Sequence, residues 1–332
     1  MDITVLGQTD VEKIFTMDDA IKASKDALEI YSKGESDIPL RTILDVKNQD
    51  AESIYMPGYA ESANALGLKI VSVFPNNNKK GLNTVPATMI LVDEETGEVS
   101  SLIDGTYLTQ LRTGAVSGAA TDLLAKKDSK TFAIIGTGGQ APSQIEAVLS
   151  VRDIEIVKVY NRKLEKAEAF AKDMTEKFSG KFKAKIVAAA SPEEAIEDAD
   201  IITTVTTAKK PVFDGKYVKK GAHINAVGSF KPDMQEIDEY IMMNADKIYV
   251  DTRDGVLNES GDFLRPIQNG NFKEKDIAGE LGEVIIKKAS SRESDEEITL
   301  FKTVGSGILD IVTARRIYEN AKEKNIGQII KF

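Results

Sequence analysis

Residues 130–162 read KTFAIIGTGGQAPSQIEAVLSVRDIEIVKVYNR. An apolar run, 132–135, ends at Gly136 and is followed by the pattern G-x-G-x-x-A, an amphipathic segment and a second apolar run, 154–160. A strand, a glycine turn, a helix and a second strand form a βαβ unit whose turn binds the pyrophosphate of a dinucleotide. Strands and helices continue to alternate up to residue 250, which predicts a doubly wound parallel sheet of the Rossmann type.

The glycine turn supplies most of the predicted cofactor contacts. Gly136 would form the tight turn, Gly138 would let the backbone approach the pyrophosphate, and Ala141 would keep the helix close to the strand. Gly139 and Gln140 complete this predicted phosphate-binding segment, where backbone amides and the helix dipole favour negative charge. An empty glycine turn is the alternative interpretation.

The residues after the second strand, Asn161-Arg162-Lys163, bear on which dinucleotide binds. NAD binders usually carry an acidic residue there for the ribose hydroxyls. A carboxylate would repel a 2′-phosphate, whereas the planar guanidinium of Arg162 can hold one. The pattern therefore predicts a site for NADP(H) in preference to NAD(H), with Asn161 and Arg162 in contact with the cofactor. A solvated helix start is the alternative.

Composition excludes several classes of function. With 53 acidic and 43 basic residues, a net charge of −10 and a pI near 5.0, a nucleic-acid partner is not expected. No apolar run reaches the roughly 18 residues of a membrane span, and the N-terminal residues lack a signal-peptide pattern. Without cysteine, and with His223 as the single histidine, thiolate chemistry and histidine-based triads or metal sites are not expected. We expect a cytoplasmic protein without a metal, with His223 buried and hydrogen-bonded.

A length of 332 residues predicts two domains. Residues 1–115 combine a predicted helix, 17–32, with five strand candidates, and a helix of small residues, 108–125, leads into the dinucleotide strand. A long amphipathic helix, 308–325, is expected to return to the first domain. We therefore expect a smaller α/β domain, formed by 1–120 and 303–332, beside a dinucleotide-binding domain, 121–302.

Three cations of the first domain, Arg41, Lys69 and Arg112, are candidate substrate ligands. Lys69 lies within an apolar strand, so its ammonium faces either solvent or an interior that would lower its pKa and make it a usable proton donor. An ordinary exposed sheet face is the alternative. Arg112 is predicted at the first turn of the small-residue helix, against the preference of the helix dipole, which is tolerable if it binds a carboxylate.

Two further segments follow strands of the predicted parallel sheet. Thr204 and Thr206 are placed to line the nicotinamide ribose, although β-propensity alone would also explain threonines there. Val227, Gly228 and Ser229 follow the next strand, at the carboxyl end where open α/β sheets bind ligands. We assign Val227 and Gly228 to the cofactor and Ser229 to the substrate.

Several segments resemble the ornithine cyclodeaminase/mu-crystallin family: KIVSVFPNN (69–77), LTQLRTGAVSGAATDLLA (108–125), IIGTGGQA (134–141), INAVGSFKPDMQEID (224–238) and RESDEEITLFKTVGSGILDIVTA (292–314). The resemblance covers nearly the whole chain. It implies a homodimer whose non-Rossmann domain, completed by the C-terminal helix, binds the substrate and forms the dimer interface. It also implies hydride transfer between a nicotinamide and the α-carbon of an amino or imino acid.

The resemblance further implies roles for individual residues. Arg41 and Arg112 would hold the substrate carboxylate. Lys69 would lie beside the α-carbon and the imine nitrogen, as the acid-base group or as the holder of a catalytic water. Thr113 would reach the cofactor phosphates or the substrate.

Departures from the family pattern favour one of its branches. Cyclodeaminases and archaeal alanine dehydrogenases carry an Asp where this chain has Phe230, and cyclodeaminases carry a Glu where it has Ile54. Both losses remove carboxylates that would handle a cationic side-chain amine. The chain is therefore more similar to cyclic imine reductases, which convert Δ1-pyrroline-2-carboxylate or Δ1-piperideine-2-carboxylate to L-proline or L-pipecolate. Amino-acid deamination by a cyclodeaminase or alanine dehydrogenase, and NADPH-dependent binding without catalysis as in mu-crystallin, are the alternatives.

Overall fold

The computed structural model describes all 332 residues, which fall into two compact units. One unit comprises Met1–Arg112 and Ser306–Phe332, and the other comprises Thr113–Gly305. The divisions expected from sequence were after residues 120 and 302. The second unit therefore begins earlier in the small-residue helix than expected, at Thr113, and it continues past residue 302 to Gly305.

The first unit is a mixed sheet with helices. Its elements up to the boundary are β1 (Asp2–Leu6), α1 (Gln8–Ile14), α2 (Met17–Lys33), β2 (Ser36–Asp37), β3 (Thr42–Val46), β4 (Ala51–Ala60), β5 (Ala65–Val73), β6 (Ala87–Val92), β7 (Val99–Asp104) and α3 (Gly105–Leu124), inside which the boundary falls. Helix α2 confirms the predicted helix 17–32. It is capped by Thr16, whose hydroxyl accepts from the Asp19 amide, and it ends at Gly34 with φ of 75°.

The second unit contains the elements that alternate in sequence. They are β8 (Thr131–Ile135), α4 (Ala141–Val151), β9 (Ile156–Tyr160), α5 (Leu164–Lys177), β10 (Lys185–Ala188), α6 (Pro192–Ile196), β11 (Ile201–Thr204), β12 (His223–Ala226), α7 (Glu239–Asn244), β13 (Lys247–Val250), α8 (Arg253–Glu259), α9 (Gly261–Gln268), β14 (Gly279–Glu280), α10 (Leu281–Ile285) and β15 (Thr299–Lys302). The strands pair in the order β10-β9-β8-β11-β12-β15-β13-β14, and every pair is parallel. The predicted doubly wound Rossmann-type sheet is confirmed.

The central strands of this sheet are buried from both sides. Strands β11, β12 and β15 are buried at every residue, as expected for a parallel sheet covered on two faces. The chain leaves β8 towards β9 on one side and reaches β11 on the other. The carboxyl ends of β8 and β11 therefore form the switch point at which such sheets bind ligands.

The chain ends in the first unit with α11 (Gly307–Lys324) and β16 (Gln328–Lys331). Helix α11 packs against α2, β4 and β5, and the sheet runs in the order β16-β1-β7-β6-β5-β4-β2, with β3 also paired to β4. The helix confirms the predicted amphipathic segment, whereas β1 and β16 were not predicted. Because these two strands pair with each other from opposite ends of the chain, no local pattern links them.

His223 is buried and hydrogen-bonded, as predicted. Its Nδ1 lies 2.9 Å from the Thr299 hydroxyl and its Nε2 lies 3.1 Å from Asn225 Oδ1. Burial lowers the pKa of His223 to about 3, and the Arg292 charge adds to this effect. The ring is therefore neutral near pH 7 and takes no part in proton transfer there. None of the helices is long and apolar enough to span a membrane.

Candidate functional site

In the first unit, three charged side chains from distant parts of the chain meet in the interior. Lys69 on β5 places its Nζ 2.6 Å from Asp310 Oδ2, and Arg112 on α3 places its Nε 2.8 Å from Asp310 Oδ1. The exposed fractions of Lys69, Arg112 and Asp310 are 1%, 6% and 0%. One carboxylate on α11 thus binds two cations out of contact with water, and we call these three residues the charged triad.

The register of the sheet explains why Lys69 points inward. Alternate residues of β5 are buried, and Lys69 occupies one of these inward positions, opposite Met56 on β4 and Met89 on β6. The alternative of an exposed sheet face is therefore wrong. A lysine in this position loses its hydration, and the Asp310 carboxylate is what makes its burial tolerable.

Burial strongly perturbs the Lys69 ammonium. Desolvation is the largest cause and lowers the pKa of Lys69 to about 7. The charges of Arg112 and Arg41 lower it further, against the opposing effect of Asp310. For Asp310, burial alone raises the pKa, but Arg112 and Lys69 reverse the effect and the pKa lies below its ordinary value. Lys69 can thus exchange a proton near neutral pH while Asp310 stays ionised.

The charges in this region do not cancel. Asp310 carries one negative charge, whereas Arg112 and a protonated Lys69 carry two positive charges, and Arg41 is near enough to lower the Lys69 pKa. An excess of cations in a desolvated place favours an anionic ligand. The three cations singled out from sequence therefore act on one another within the first unit.

Apart from the charged triad, the neighbours of Lys69 on its face of the sheet are apolar. Met56 and Met89 flank it across the sheet, and Ile54 and Val71 follow on the same face in the next paired positions. Ile54, Met56 and Val71 are buried at 4%, 4% and 8% exposure. These methylene and methyl groups suit an aliphatic part of a ligand beside its charged part.

Arg112 does not lie where the sequence placed it. Helix α3 begins at Gly105, so Arg112 is in its interior and the argument from the dipole at the first turn was wrong. The Asp104 carboxylate accepts from the Tyr107 amide at the true start of the helix. The sequence placed this start too late because Asp104 is followed by a glycine and not by an apolar residue. What holds Arg112 is its ion pair with Asp310.

Asp310 was missed by the sequence analysis, although its surroundings carry a signal. The residue stands between Leu309 and Ile311 in a helix whose first residues are all buried. A carboxylate in such a position requires a cationic or hydrogen-bonding partner. The composition of α11 could therefore have identified Asp310 as functional, but not Lys69 and Arg112 as its partners.

In the second unit, the glycine turn after β8 has the conformation that its motif requires. Gly136 has φ of 116°, and a Cβ there would lie 2.6 Å from the carbonyl oxygen of Val205. At Gly138 a Cβ would meet no protein atom within 4 Å, and Gly138 and Gly139 are both exposed. Packing against Val205 therefore explains why residue 136 is a glycine. The exposed backbone of Gly138 and Gly139 fits the close approach of a pyrophosphate.

Other residues of this turn also fit a dinucleotide. The Gln140 side-chain oxygen is buried without a hydrogen-bond partner in the chain, and Ala141 is the first residue of α4. Asn161 donates from Nδ2 to the Thr137 hydroxyl at 2.7 Å and accepts from the Lys163 amide at 3.0 Å. Asn161 thus joins the loop after β9 to the glycine turn, and the neighbouring Arg162 is exposed.

The remaining predicted contacts lie in or near the loops that follow β11 and β12, or at the start of the unit. Thr204 is buried, and its hydroxyl donates to Glu236, whereas the Thr206 hydroxyl accepts from the Ala208 amide. The Thr113 carbonyl accepts from the side chain of Gln144 on α4. The cofactor contacts of these residues stay predictions.

The end of β12 leads into the segment assigned to the cofactor and the substrate. Val227 is buried and Gly228 is partly exposed. Ser229 is fully buried, and its hydroxyl donates to the Met234 carbonyl at 3.0 Å. Because that hydroxyl already has an internal partner, the substrate contact assigned to Ser229 also stays a prediction.

Comparisons with known proteins agree with the family resemblance. The model of the ornithine cyclodeaminase/mu-crystallin family matches residues 1–325. A Δ1-pyrroline-2-carboxylate reductase of Bacillus cereus is 46% identical over 328 residues, which are 99% of each chain.

Two solved structures are similar over the whole chain. The Thermococcus litoralis Δ1-pyrroline-2-carboxylate reductase in complex with NADH and L-proline has a TM-score of 0.94 and 40% identity, covering 99% of this chain and 100% of that chain. An archaeal alanine dehydrogenase dimer with bound NAD has a TM-score of 0.91 and 37% identity, covering 100% of both chains. With a family match over residues 1–325 and relatives this similar over their full length, the chain belongs to the ornithine cyclodeaminase/mu-crystallin family.

Proposed function

We propose that the protein is an NAD(P)H-dependent oxidoreductase that reduces a cyclic imino acid, Δ1-pyrroline-2-carboxylate or Δ1-piperideine-2-carboxylate, to L-proline or L-pipecolate. The observation that carries this proposal is the charged triad. Its two cations exceed its one carboxylate, which favours an anionic ligand, and the pKa of its lysine is about 7. The reductases of B. cereus and T. litoralis, at 46% and 40% identity, support the reaction.

In this reaction the substrate carboxylate binds Arg112 and Arg41, which orients the ring. The nicotinamide, when bound, supplies the hydride for the α-carbon. Lys69 donates a proton to the imine nitrogen, directly or through a water that it holds, and Asp310 keeps the Lys69 and Arg112 side chains in place. The binding of an anionic carboxylate raises the pKa of Lys69, because it offsets the charges of Arg112 and Arg41.

The apolar side chains around Lys69 favour a ring over a diamino acid. Met56, Met89, Ile54 and Val71 offer methyl and methylene groups to the substrate. Burying the second ammonium of ornithine against them would carry a desolvation cost, because a buried charge requires a partner. This observation ranks cyclic imine reduction above ornithine cyclisation.

A substrate panel tests the reaction. Oxidation of NADPH and of NADH is followed by the loss of their near-ultraviolet absorbance with the five- and six-membered cyclic imino acids, and with pyruvate plus ammonia. We expect at least one cyclic imine to be reduced about 100-fold more efficiently than pyruvate plus ammonia, because a ring offers more methylene surface to the apolar groups around Lys69 than the pyruvate methyl group does. Faster turnover of pyruvate would favour alanine dehydrogenation, and tight NADPH binding without any turnover would favour a binding protein. Ornithine, assayed for cyclisation without net change in the cofactor, serves as the control for cyclodeaminase activity.

The role of Lys69 is tested by substitution and by pH. Lys69→Ala should lower kcat by about 10²- to 10⁴-fold, the usual contribution of a general acid, and leave cofactor affinity nearly unchanged. In the unaltered enzyme kcat/KM should fall as pH rises above about 7, because Lys69 loses the proton that it donates. The decline in kcat should come at higher pH, since the bound carboxylate raises the Lys69 pKa.

Asp310→Asn supplies the matched variant for this experiment. Removal of the Asp310 charge lowers the pKa of Lys69 further, so the decline in kcat/KM should move to lower pH. A Lys69→Ala enzyme with full activity, or a pH profile that Asp310→Asn leaves in place, would exclude Lys69 as the proton donor.

We further propose that NADPH is preferred to NADH. Arg162 and Lys163 are exposed at the end of β9, and Asn161, which replaces the usual acidic residue, ties that loop to the glycine turn. Arg162 can bind a 2′-phosphate bidentately, with no carboxylate at residue 161 to repel it. NADH is the competing cofactor, because the T. litoralis relative was solved with it.

Arg162→Ala should raise the KM for NADPH by about 10- to 100-fold and leave that for NADH within about twofold, because only NADPH loses a charge-assisted hydrogen bond. The exposed Lys166, on the following helix, provides the control as Lys166→Ala. Equal changes for NADPH and NADH, or none, would refute the preference.

We also propose that the protein is a homodimer formed through the first unit. Apolar side chains are exposed on two segments of the first unit: Leu40 (53%), Ile43 (49%) and Leu44 (53%) on and just before β3, and Leu82 (59%) and Val85 (41%) between β5 and β6. Exposed apolar side chains of this kind favour burial against a second copy. The archaeal alanine dehydrogenase, a relative with 37% identity, is a dimer.

Leu44→Asp should convert the dimer to a monomer at micromolar concentration, because it places a charge in an apolar interface. Light scattering coupled to size-exclusion chromatography measures the mass. Leu164, which is 42% exposed in the second unit, supplies the control as Leu164→Asp. A protein that is monomeric before substitution, or a dimer that Leu44→Asp leaves intact, would contradict the proposed interface.

A further inference from the structure

Three fully buried charges lie near the carboxyl edge of the second unit's sheet: Glu236, Asp262 and Lys302. Lys302 Nζ is 3.0 Å from Asp262 Oδ2. The other oxygen of Asp262 accepts from the backbone amides of Glu236 at 2.7 Å and of Ile237 at 3.0 Å. The segment before α7 is therefore anchored through its backbone, which leaves the Glu236 side chain available for other partners.

The Glu236 carboxylate joins two loops. Oε1 accepts from the Thr206 amide at 2.5 Å, and Oε2 accepts from the Gly228 amide at 2.6 Å and from the Thr204 hydroxyl at 3.0 Å. Thr206 follows β11 and Gly228 follows β12, which are neighbouring parallel strands. One carboxylate thus sets the distance between two loops at the edge of the sheet that binds ligands.

The two loops are in tight contact, so this distance has little freedom. A Cβ at Gly228 would lie 2.1 Å from the Thr206 carbonyl oxygen and 2.6 Å from Glu236 Oε1. Burial of the carboxylate raises the pKa of Glu236, although Lys302 opposes this effect. Burial is unfavourable for a carboxylate, but Glu236 lies where the backbone amides of both loops need a hydrogen-bond acceptor.

We propose that Glu236 is a positioning residue for the nicotinamide half of the cofactor, because it fixes the loops after β11 and β12 relative to each other. The inference rests on the proposed function and on the cofactor contacts predicted from sequence, in which Thr204 and Thr206 line the nicotinamide ribose and Val227 and Gly228 contact the cofactor. Glu236 itself bonds to the protein and acts only through these loops. Its removal should therefore affect the nicotinamide half of the cofactor and spare the adenosine half.

Glu236→Gln tests this expectation. The substitution replaces one acceptor oxygen by an NH₂ group, which then faces the amide of Thr206 or of Gly228. Loss of a hydrogen bond to a charged group should raise the Kd for NADPH and NADH about tenfold or more. The Kd for ADP-ribose and 2′-phospho-ADP-ribose, which lack the nicotinamide, should stay within about twofold. Isothermal titration calorimetry measures all four dissociation constants. With cofactor deuterated at C4 of the nicotinamide, the isotope effect on kcat should increase.

Asp200 provides the matched control. It is also a buried carboxylate that holds two backbone amides, those of Lys130 at 2.7 Å and Thr131 at 2.9 Å, but at the amino edge of the sheet. Asp200→Asn should lower the unfolding temperature. It should not change the Kd for dinucleotides relative to the Kd for ADP-riboses. If Glu236→Gln weakens both kinds of ligand equally, or weakens neither, the positioning role is overturned.

Amide hydrogen exchange in the unaltered protein tests the same arrangement if Glu236→Gln does not fold. The amides of Thr206 and Gly228 should be protected before any cofactor is added, because Glu236 already accepts from them. Exchange at the unprotected rate would overturn the proposal. These binding and exchange measurements need no imine substrate, so a failure of the proposed reaction would be visible separately in the substrate panel.

Discussion

The Asp310 carboxylate, bound at once to Lys69 and Arg112, is the interaction on which the chemistry of the first unit depends. Removing an ion from water costs several kcal/mol, and the Asp310 charge offsets part of this cost for both cations. A single carboxylate cannot neutralise both Lys69 and Arg112, and the charge of Arg41 lowers the Lys69 pKa further. The same contacts therefore hold the interior together and leave an excess of positive charge, which the substrate carboxylate would offset in the proposed function.

Desolvation also sets the reactivity of Lys69. An exposed lysine keeps its proton well above neutral pH, whereas burial among apolar side chains brings the pKa of Lys69 to about 7. In the proposed function, the apolar residues that would favour a ring-shaped substrate also help to desolvate the lysine that would donate the proton. Substrate selection and acid catalysis would then share one physical cause.

The second unit uses buried carboxylates for a different purpose. Glu236, Asp262, Asp251 and Asp200 each accept from two or more backbone amides that no helix or strand satisfies. An ionised acceptor makes such bonds stronger than a neutral one. Loops at the edges of the sheet are in this way held in one conformation, which is what a cofactor site requires of its surroundings.

By itself the sequence determined the features that arise from neighbouring residues. The parallel sheet follows from strands and helices in alternation, the dinucleotide turn from its glycine spacing, and the NADP(H) hypothesis from Asn161 and Arg162. Only the tertiary structure revealed that Asp310 is the partner of Lys69, because the two residues are 241 positions apart. The same holds for the bonds of Glu236 to loops 30 and 8 residues away, and for the pairing of β1 with β16. Periodicity and spacing report what a residue's neighbours are along the chain, whereas the partner of a buried charge is decided by which elements the fold brings together.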